Sequence, residues 1–561
     1  MAFQISPGVS VSEVDLTTVV PSVQTTAGAF AGTFKWGPVN KIKQIDSEIT
    51  LVKTFGKPDS DSAVSFFTAA NFLAYGNNLQ LVRSVGDAAR NSVSDGSAVL
   101  IKNEDDFDAT YLNVDNEDDY GPFVARYPGT LGDSIRVEVC ANTAAYASWD
   151  YRNLFTSAPG TSDYADSVDG LNDEMHIVVI DAGGNITGTA NTVLETYGFV
   201  SAASDAIING ETNYYKQVIF NKSKYVYSMG PVDYATTNAT WDRTANRTFA
   251  RPNQIITSTL SSGVNANPST ANLQTSYDSF INKETVDISL VLTGNAAVAV
   301  QQHVIDNIAI NRADCVAFIS PRYADVVNQG GSETSNIQSW LNSLSRSSSF
   351  VVADSGWKYQ FDKYNNVYRW IPLNGDIAGL CVFTDSVRDP WFSPAGLNRG
   401  AIKNCIRLAW NPTKSFRDTL YAAGVNPVIS LPGQGTVLFG DKTLQNKPSA
   451  FDRINVRRLF ITLEKSIAQA AKYSLFELND EFTRAQFVSL VTPFLRDIQG
   501  RRGITDFKVV CDTTNNTAQI IDTNQFVGDI YIKPARSINF IQLNFVAVRT
   551  GVAFEEIVGK F

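Results

Sequence analysis

The sequence predicts a multidomain protein that combines an α/β core with a C-terminal α+β domain. Its 561 residues are enough for about three or four domains of ordinary size. Residues 21–87 and 251–413 alternate short apolar runs with helical patterns, which is typical of a parallel sheet covered by helices. Residues 88–250 are rich in Asn, Asp, Ser, Thr and Gly, and they predict a solvent-exposed β-rich domain inserted into that core. Residues 414–548, in which helices precede short strands, predict the α+β domain.

Residues 1–20 predict an extended arm. Val9 and Val11 alternate with Ser10 and Ser12, which is the period of a β-strand. A single short strand is not stable by itself, so the arm must pair with its own body or with a neighbouring molecule.

Short apolar runs predict the strands of the core, and amphipathic stretches predict its helices. The predicted strands are residues 79–85, 286–292, 315–319, 350–352 and 377–382. The predicted helices are residues 63–75 and 296–311.

The inserted domain shows strand patterns at residues 135–139, 176–180 and 216–220. Two acidic stretches, NEDDF (103–107) and NEDDY (116–120), suggest a cation site. Neither has the spacing or the turn glycine of an EF-hand loop. We therefore interpret both as solvated acidic loops, with a cation site as the alternative.

The C-terminal domain is predicted to pack helices against a small sheet. Its elements are helices at residues 414–423, 452–473, 481–491 and 493–498, strands at 506–511, 526–532 and 538–548, and a second arm at 549–561.

The helix predicted at residues 452–473 has an apolar face and a basic face. Arg458, Lys465 and Lys472 recur every seven residues, so they form a line along the helix, with Gln469 beside it. This line is either a solvated face or a surface for an acidic partner.

Two strand-like arms beside a domain with a short final sheet favour β-augmentation. In that mode, an arm of one subunit completes the sheet of another through main-chain hydrogen bonds. The residues expected in this exchange are Val9, Val11, Phe540, Leu543, Phe545, Val552 and Phe554.

The composition gives no support for catalysis. His, the usual general base and transition-metal ligand, occurs only as His176 and His303. The serine-hydrolase motif GxSxG, the phosphate loop GxxxxGKS/T and the zinc motif HExxH are absent. The five cysteines form no CxxC pair, so each is expected to be a small buried residue. We predict no catalytic residues, no cofactor and no metal site.

Charge is unevenly distributed along the chain. The net charge of −10 disfavours nucleic acid as a partner. Residues 396–561 carry 21 Lys and Arg against 14 Asp and Glu, a net of +7, whereas residues 1–395 carry −17. The basic end is expected to face an acidic partner, although uneven charge is also common in long chains. No apolar run approaches the roughly 20 residues of a membrane helix, and the start lacks a secretory signal pattern, so we expect a protein that is cytosolic when made and is not inserted into a membrane.

Long motifs are distributed over most of the chain. They are SPGVSVSEVD (6–15), AGTFKWGPVNKIKQI (31–45), LVKTFGKP (51–58), KYQFDKYNNVYRWIPLNGDIAGLC (358–381), SPAGLNRGAI (393–402), SAFDRINVRRLF (449–460), KYSLFELNDEFTRAQF (472–487), VVCDTTNNT (509–517) and DIYIKPARSINFIQLNFVAV (529–548). Together they resemble the contractile tail sheath proteins of T-even-type bacteriophages, the myoviruses.

The resemblance implies a structural subunit, not an enzyme, with a subtilisin-like α/β core. It implies a virion tail protein that forms homo-hexameric rings, stacked as a helical polymer around a tail tube protein and assembled in the host cytoplasm. Baseplate and tail terminator proteins would be further partners. Contraction would drive the tube through the host cell envelope for genome ejection.

The resemblance also implies where the domains lie in such a polymer. The C-terminal domain at 414–548 would be innermost, and the polar inserted domain at 88–250 is expected on the outside. The residues that would face the tube are Arg458, Lys465, Gln469 and Lys472.

Three other functions fit parts of the sequence. The protein could be a sheath of a bacteriocin or of a secretion-type contractile injection machine. A subtilisin-like hydrolase would suit the fold but not the missing motifs. A surface adhesin would suit the Asn/Thr-rich domain but not the basic end.

One departure from the T-even pattern affects the expected shape. Those sheaths carry an additional protruding domain after the region matching RSVGDAARN (83–91). Here only a short acidic link at 92–120 precedes the next match at 121–139. We therefore expect a slimmer sheath.

Overall fold

The computed structural model describes residue 20 and residues 23–114, 116–539 and 541–542. These residues separate into two units by their internal contacts. The large unit comprises Val20–Pro390 and Pro394–Tyr473. The C-terminal unit comprises Trp391–Ser393 and the described residues from 474 onward.

The first part of the large unit supplies the middle of its central sheet. Its elements are β1 (Gly28–Gly32), β2 (Lys43–Ile45), α1 (Glu48–Phe55), α2 (Ala63–Leu73) and β3 (Leu79–Arg83).

The region inserted after β3 is built from short helices and antiparallel strands. Its strands are β4 (Phe123–Ala125), β5 (Ile135–Cys140), β6 (Glu174–Asp181), β7 (Thr192–Ser201), β8 (Ile207–Ile208), β9 (Glu211–Thr212), β10 (Val226–Ser228) and β11 (Ile256–Thr259). Its helices are α3 (Glu104–Thr110), α4 (Glu117–Tyr120), α5 (Thr143–Ser148), α6 (Asp163–Asp166), α7 (Tyr215–Lys222) and α8 (Tyr234–Thr237).

The remainder of the large unit returns to the central sheet. Its helices are α9 (Thr270–Asp278), α10 (Val298–His303), α11 (Tyr323–Val326), α12 (Glu333–Leu344), α13 (Asn374–Val387), α14 (Lys414–Ala422) and α15 (Ile454–Ala471), with a π-helical continuation of α10 at Val304–Ile310. Its strands are β12 (Leu290–Leu292), β13 (Val316–Ile319), β14 (Val351–Asp354), β15 (Trp357–Asp362), β16 (Val367–Pro372), β17 (Arg407–Leu408), β18 (Val425–Asn426), β19 (Val428–Leu431) and β20 (Gly435–Leu438).

The central sheet has the strand order β18-β14-β13-β12-β1-β3-β2 within the described residues. Every neighbouring pair is parallel except β2 with β3. The buried parallel strands predicted around residues 286–292 and 315–319 are confirmed as β12 and β13, although β12 is shorter than predicted.

Both faces of the central sheet are covered by helices, as a parallel sheet requires. Side-chain alternation along β1 separates the two layers, because Phe30 faces one side and Ala29 and Ala31 face the other. Helices α2, α13 and α15 pack on the Phe30 side, and α9 and α10 pack on the alanine side.

The inserted region has an antiparallel sheet of its own, in the order β11-β5-β6-β7. Since β11 ends at Thr259, this sheet continues beyond the predicted boundary at residue 250. The strand predicted at 216–220 is wrong, because these residues belong to α7. The buried residues Tyr215, Val218 and Ile219 have helical spacing, which a five-residue window treated as a strand does not reveal.

The strand predicted at residues 377–382 is also wrong. These residues lie in the middle of α13, where every residue from Asn374 to Val382 is buried. A helix that is buried all round has the same continuous apolar run as a buried strand, so the pattern cannot separate the two.

The predicted domain boundary at 413/414 does not coincide with the division into units. Strand β18 extends the central sheet by pairing Val425 with Ala353 of β14. Ile454 and Ile461 of α15 belong to the same hydrophobic core as α2 and α13. Residues 414–473 therefore fold with the large unit.

The C-terminal unit packs one long helix beside a hairpin. Its elements are α16 (Glu481–Gly500), β21 (Ile504–Val510), α17 (Ala518–Asp522) and β22 (Asp529–Pro534). The two helices predicted at 481–491 and 493–498 form the single helix α16, with Pro493 in its interior. Proline removes one backbone hydrogen bond but did not end the helix here. Ile538, Asn539, Ile541 and Gln542 are described and are not in the strand predicted at 538–548.

The carboxyl ends of β12, β13 and β14 are joined by a buried polar network. The Asn374 side chain donates to Gly294 O at 2.9 Å and to Ser320 Oγ at 2.8 Å. Ser320 Oγ donates to Asp354 Oδ2 at 2.6 Å, and Gly356 N–H donates to Asp354 Oδ1 at 2.9 Å. Burial raises the pKa of Asp354 to about 8.

We expect Asp354 to make the fold less stable as the pH rises. Its folded-state pKa lies above the unfolded value of about 3.9, so its contribution to the free energy of unfolding is largest below about pH 4 and declines until the folded carboxyl also ionises near pH 8. The slope is at most about 1.4 kcal/mol per pH unit. Urea unfolding between pH 5 and 8 should show a shallower decline for Asp354→Asn than for the parent. Equal slopes in the two proteins would contradict the expectation.

Candidate assembly sites

Arg458 of α15 is buried and paired inside the large unit. Its side chain is 4% exposed, and its Nη2 lies 2.5 Å from Oδ2 of Asp385 on α13. Its Nη1 donates to Cys381 O at 3.3 Å. The expectation that Arg458 faces a tube from an exposed helix surface is therefore wrong.

The other predicted tube-facing residues differ in exposure. Lys465 Nζ donates to Asp287 Oδ1 and to Ile288 O, both at 2.8 Å, so its charge is also directed toward the large unit. Gln469 and Lys472 are exposed.

The first half of α15 is buried on more than its apolar face. Arg457, next to Arg458, lies between the rings of Phe350 and Phe451, at 4.3 and 4.2 Å from their centroids. The seven-residue spacing correctly placed Arg458 and Lys465 on one line, but periodicity does not report which line is exposed. A buried cation must be paired, and the carboxylate that pairs with Arg458 comes from a distant segment, α13.

The net positive charge of residues 396–561 comes from the part of that range that folds with the large unit. Residues 396–473 contain twelve Lys and Arg against four Asp and Glu, a net of +8. Residues 474–561 contain nine against ten, a net of −1. The predicted basic C-terminal domain is therefore corrected: the basic stretch ends where the C-terminal unit begins.

Among the described residues, the outer edges of the hairpin in the C-terminal unit carry no further strand. In the part of the chain that the structure describes, β21 and β22 pair only with each other, from Val510 opposite Asp529 to Ile504 opposite Pro534. A two-stranded sheet with open edges presents free N–H and C=O groups for another strand.

Asn516 shapes the connection between the two strands of this hairpin. It is 1% exposed, and its side chain both donates to Val527 O and accepts from Val527 N–H, each at 2.8 Å. Sequence reasoning missed this residue. Its neighbourhood is rich in Asn and Thr, and its partner lies eleven residues away, so no local signal distinguished it.

Large apolar side chains are exposed on the C-terminal unit. Phe476 is fully exposed, and its φ of 69° lies in the left-handed region that bulky residues rarely adopt. Exposed apolar groups in such numbers mark interaction surfaces. The exposed residues are Leu475, Phe476, Leu478, Phe482, Tyr531, Ile538 and Ile541.

The predicted strand-exchange residues lie outside the described part of the chain. They are Val9, Val11, Phe540, Leu543, Phe545, Val552 and Phe554. Of the predicted arm at 1–20 only Val20 is described, and the whole arm at 549–561 lies outside.

The two histidines make internal contacts. His176 is buried against Phe155, with ring centroids 4.2 Å apart, and its Nδ1 accepts from Phe199 N–H. Burial lowers the pKa of His176. His303 Nε2 lies 2.6 Å from Asp278 Oδ1. Neither histidine is adjacent to a nucleophile in these contacts.

The acidic stretches predicted as solvated loops begin helices instead. In NEDDF, Asn103 caps α3 by accepting from the N–H groups of Asp105 and Asp106, and Glu104 pairs with Lys41 at 3.1 Å. Acidic residues in a first helical turn are favourable there because of the helix dipole. Among the described residues no group of three potential ligands could hold a metal ion, and no helix is long and apolar enough to cross a membrane.

Three protein-family models match the chain. They are the phage tail sheath C-terminal domain at residues 446–547, the phage tail sheath protein central domain at 266–444, and the tail sheath protein Gp18 domain III N-terminal region at 25–83. The tail sheath protein of Vibrio phage KVP40 is 34% identical, over 99% of this chain and 100% of the relative. The chain belongs to the phage tail sheath protein family.

The tail sheath protein of Enterobacteria phage T4 is 33% identical to this sheath protein, over 99% of each chain. Because these relatives are phage proteins, the phage tail is favoured over the bacteriocin or secretion alternatives, and the protein is a structural component of the virion tail. The alignment with the KVP40 protein extends over 691 positions, more than the 561 residues of this chain. That relative therefore has segments with no counterpart here.

Two solved structures share the fold of this sheath protein. The sheath tail protein Lin1278 from Listeria innocua has a TM-score of 0.57 at 11% identity, covering 92% of this chain and 93% of its own. The sheath complex of an extracellular contractile injection system, PVC, in its contracted state has a TM-score of 0.50 at 13% identity, covering 97% and 98%.

Removing the Arg458 side chain should destabilise the large unit strongly. In Arg458→Met, the Asp385 carboxylate would stay buried without its cation, at a cost of about 3–5 kcal/mol. The matched control Lys472→Met removes an exposed cation and should stay within about 0.5 kcal/mol of the parent. Urea unfolding measures both. Similar losses in the two variants would show that the Arg458 pair is not a determinant of stability.

Proposed function

We propose that this sheath protein polymerises as stacked hexameric rings around a tail tube, and that contraction drives the tube through the host envelope for genome ejection. The membership of nearly the whole chain in the tail sheath family carries this proposal. Assembly takes place in the host cytoplasm, with baseplate and tail terminator proteins as further partners.

Contraction in this proposal needs no nucleotide, cofactor or metal. The energy is stored when subunits pack in an extended arrangement that is metastable relative to the contracted one, since packed interfaces switch between discrete states. No catalytic residue takes part, and nucleic acid does not contact the sheath.

Strand exchange would hold neighbouring subunits together while they move. The edges of β21 and β22, which pair with no other strand in the described part of the chain, are suitable acceptors for a strand from the 1–20 arm or the 549–561 arm. A strand of about five residues adds four or five hydrogen bonds, each worth roughly 0.5–1.5 kcal/mol net. In this proposal Val9, Val11, Phe540, Leu543, Phe545, Val552 and Phe554 supply the strand contacts.

We also propose the radial order of the parts. The region at 88–250 lies outside, residues 414–548 lie toward the tube, and the core has a subtilisin-like arrangement. The longer alignment with the KVP40 protein supports a slimmer sheath without the outermost lobe.

Deleting either arm should abolish polymerisation without unfolding the subunit. Variants lacking residues 1–20 or 549–561 should remain folded monomers, because the two largest hydrophobic cores of the large unit are built from residues between Phe30 and Ile461. Sedimentation and negative-stain microscopy would measure polymer length, and circular dichroism would check the fold. Long polymers from either variant would exclude strand exchange by that arm.

A contact between α15 and the tube now depends on its exposed end. We propose that Gln469 and Lys472 face the tube, so that Gln469→Glu with Lys472→Glu reduces coating of tubes but not tube-free polymerisation. Each exposed contact is worth only about 0–1 kcal/mol, and repetition over many rings amplifies the effect. Lys414→Glu, an exposed charge reversal on α14, is the matched control. Unchanged coating by the double variant at moderate salt would leave these residues as solvated surface.

A further inference from the structure

Residues 23–27 connect the N-terminal arm to β1, and side chains of other segments hold them by hydrogen bonds. The Thr25 hydroxyl donates to Asp385 Oδ2 at 2.7 Å, and the same carboxylate oxygen receives Arg458. Arg458 Nη2 also approaches Thr25 O at 3.5 Å. A single buried ion pair therefore holds both the side chain and the backbone of Thr25.

A second set of contacts lies along the same segment. Ser289 Oγ donates to Gln24 O at 3.1 Å, and Lys465 Nζ donates to that Ser289 Oγ at 3.2 Å. Arg458 and Lys465, seven residues apart on α15, thus each support one fastening of residues 23–27. We call Thr25, Ser289, Asp385, Arg458 and Lys465 the N-terminal clamp.

We propose that the N-terminal clamp fixes the point where the arm leaves the subunit and transmits a pull on the arm to the body of the large unit. The proposal rests on the strand-exchange function described above, because it requires an arm that a neighbour holds. In this proposal, the five clamp residues act in contraction by holding the start of the arm in a fixed position.

The position of β1 explains why the segment before it needs support. Strand β1 is bonded in parallel to β3 on one side and to β12 on the other, so a pull along it is resisted by two ladders at once. Both ladders begin at Gly28. Upstream of that residue, Ala27 O accepts hydrogen bonds from the N–H groups of Ser289 and Leu290, and the clamp side chains hold Gln24 and Thr25.

Losing the clamp would lengthen every link between subunits that is made by the N-terminal arm. The four residues 23–26 could then separate from the surface and extend by about 14 Å, at roughly 3.3–3.6 Å per residue. A neighbour could then move by that distance before the pull reached the central sheet. Concerted contraction requires the opposite, namely links that are short and of fixed length.

The chemistry of the clamp suits a positioning role better than a stabilising one. Arg458 and Asp385 are 4% and 6% exposed, and a buried ion pair is often no more stabilising than an apolar pair of the same size. Its benefit is geometric, because a carboxylate oxygen accepts the hydroxyl and the guanidinium in one defined arrangement.

The test leaves the buried ion pairs intact. Thr25→Val with Ser289→Ala removes the two hydroxyl fastenings and keeps Arg458 with Asp385 and Lys465 with Asp287. The matched control is Ser134→Ala with Thr187→Val, which removes two hydroxyl donors from the buried Asp181 in the inserted region.

Hydrogen exchange and mechanical shear are the readouts. In the clamp variant, peptides covering residues 23–32 should exchange about tenfold faster than in the parent, while the melting temperature matches that of the control. Polymers forced through a narrow capillary should fragment to less than half the parent's mean length by microscopy. The control variant should keep both parent values.

Several outcomes would overturn the proposal. Unchanged exchange over residues 23–32 would show that the clamp does not fasten the segment. Faster exchange with parental resistance to shear would show that the fastening transmits no pull. If the double variant does not fold, Thr25→Val alone must show the same changes at smaller amplitude. A folded variant that cannot polymerise beside a control that can would support the clamp.

The arm deletions separate this proposal from the function on which it rests. If deletion of residues 1–20 blocks polymerisation while the clamp variant behaves as the parent, only the clamp is wrong. If that deletion leaves polymers intact, strand exchange by this arm is wrong, and the clamp has no pull to transmit.

Discussion

A parallel sheet must be covered on both faces, and this requirement determines the organisation of the large unit. The strands of the central sheet come from segments far apart in sequence, and so do the helices that cover it. Helix α15 is needed on the Phe30 face, so the chain cannot leave the large unit before residue 473. Once that helix is inside the fold, Arg458 and Lys465 need internal partners. The pairing of Arg458 with Asp385 is thus a consequence of sheet coverage.

The same sheet also bears on why the protein has a structural role. In open α/β sheets, ligands usually bind in the crevice beyond the carboxyl ends of the strands. Here Asn374, Ser320 and Asp354 fill that position with hydrogen bonds to one another and to the strand ends. The place where related architectures carry chemistry is used to fix α13 against the sheet. This arrangement agrees with membership in a family of structural virion proteins.

The sequence allowed some of these features to be predicted and concealed others for physical reasons. Residues 315–319 form a short apolar run with β-branched and aromatic side chains, and residues 316–319 of this run form β13. Residues 377–382 are equally apolar, yet they are helical, because burial on all sides removes periodicity. The domain boundary depended on the pairing of Val425 with Ala353, a contact across 72 positions that no local pattern records. Arg458 lies on the same line of α15 as Lys465, as the spacing predicted, but it is buried and not exposed. Spacing shows which residues share a helix face and does not show what packs against that face.

The burial of the cysteines bears on how resistant an assembled particle is to oxidation. All five cysteines lie in the described part of the chain and are unpaired, and four of them are buried. Burial raises the pKa of Cys381 to about 11 and that of Cys315 to about 12. Oxidants attack the thiolate, so these side chains are slow to age in air. Within the proposed sheath, a subunit covalently cross-linked to its neighbour could not move past it, and burial of four of the five thiols slows the oxidation that would form such a link.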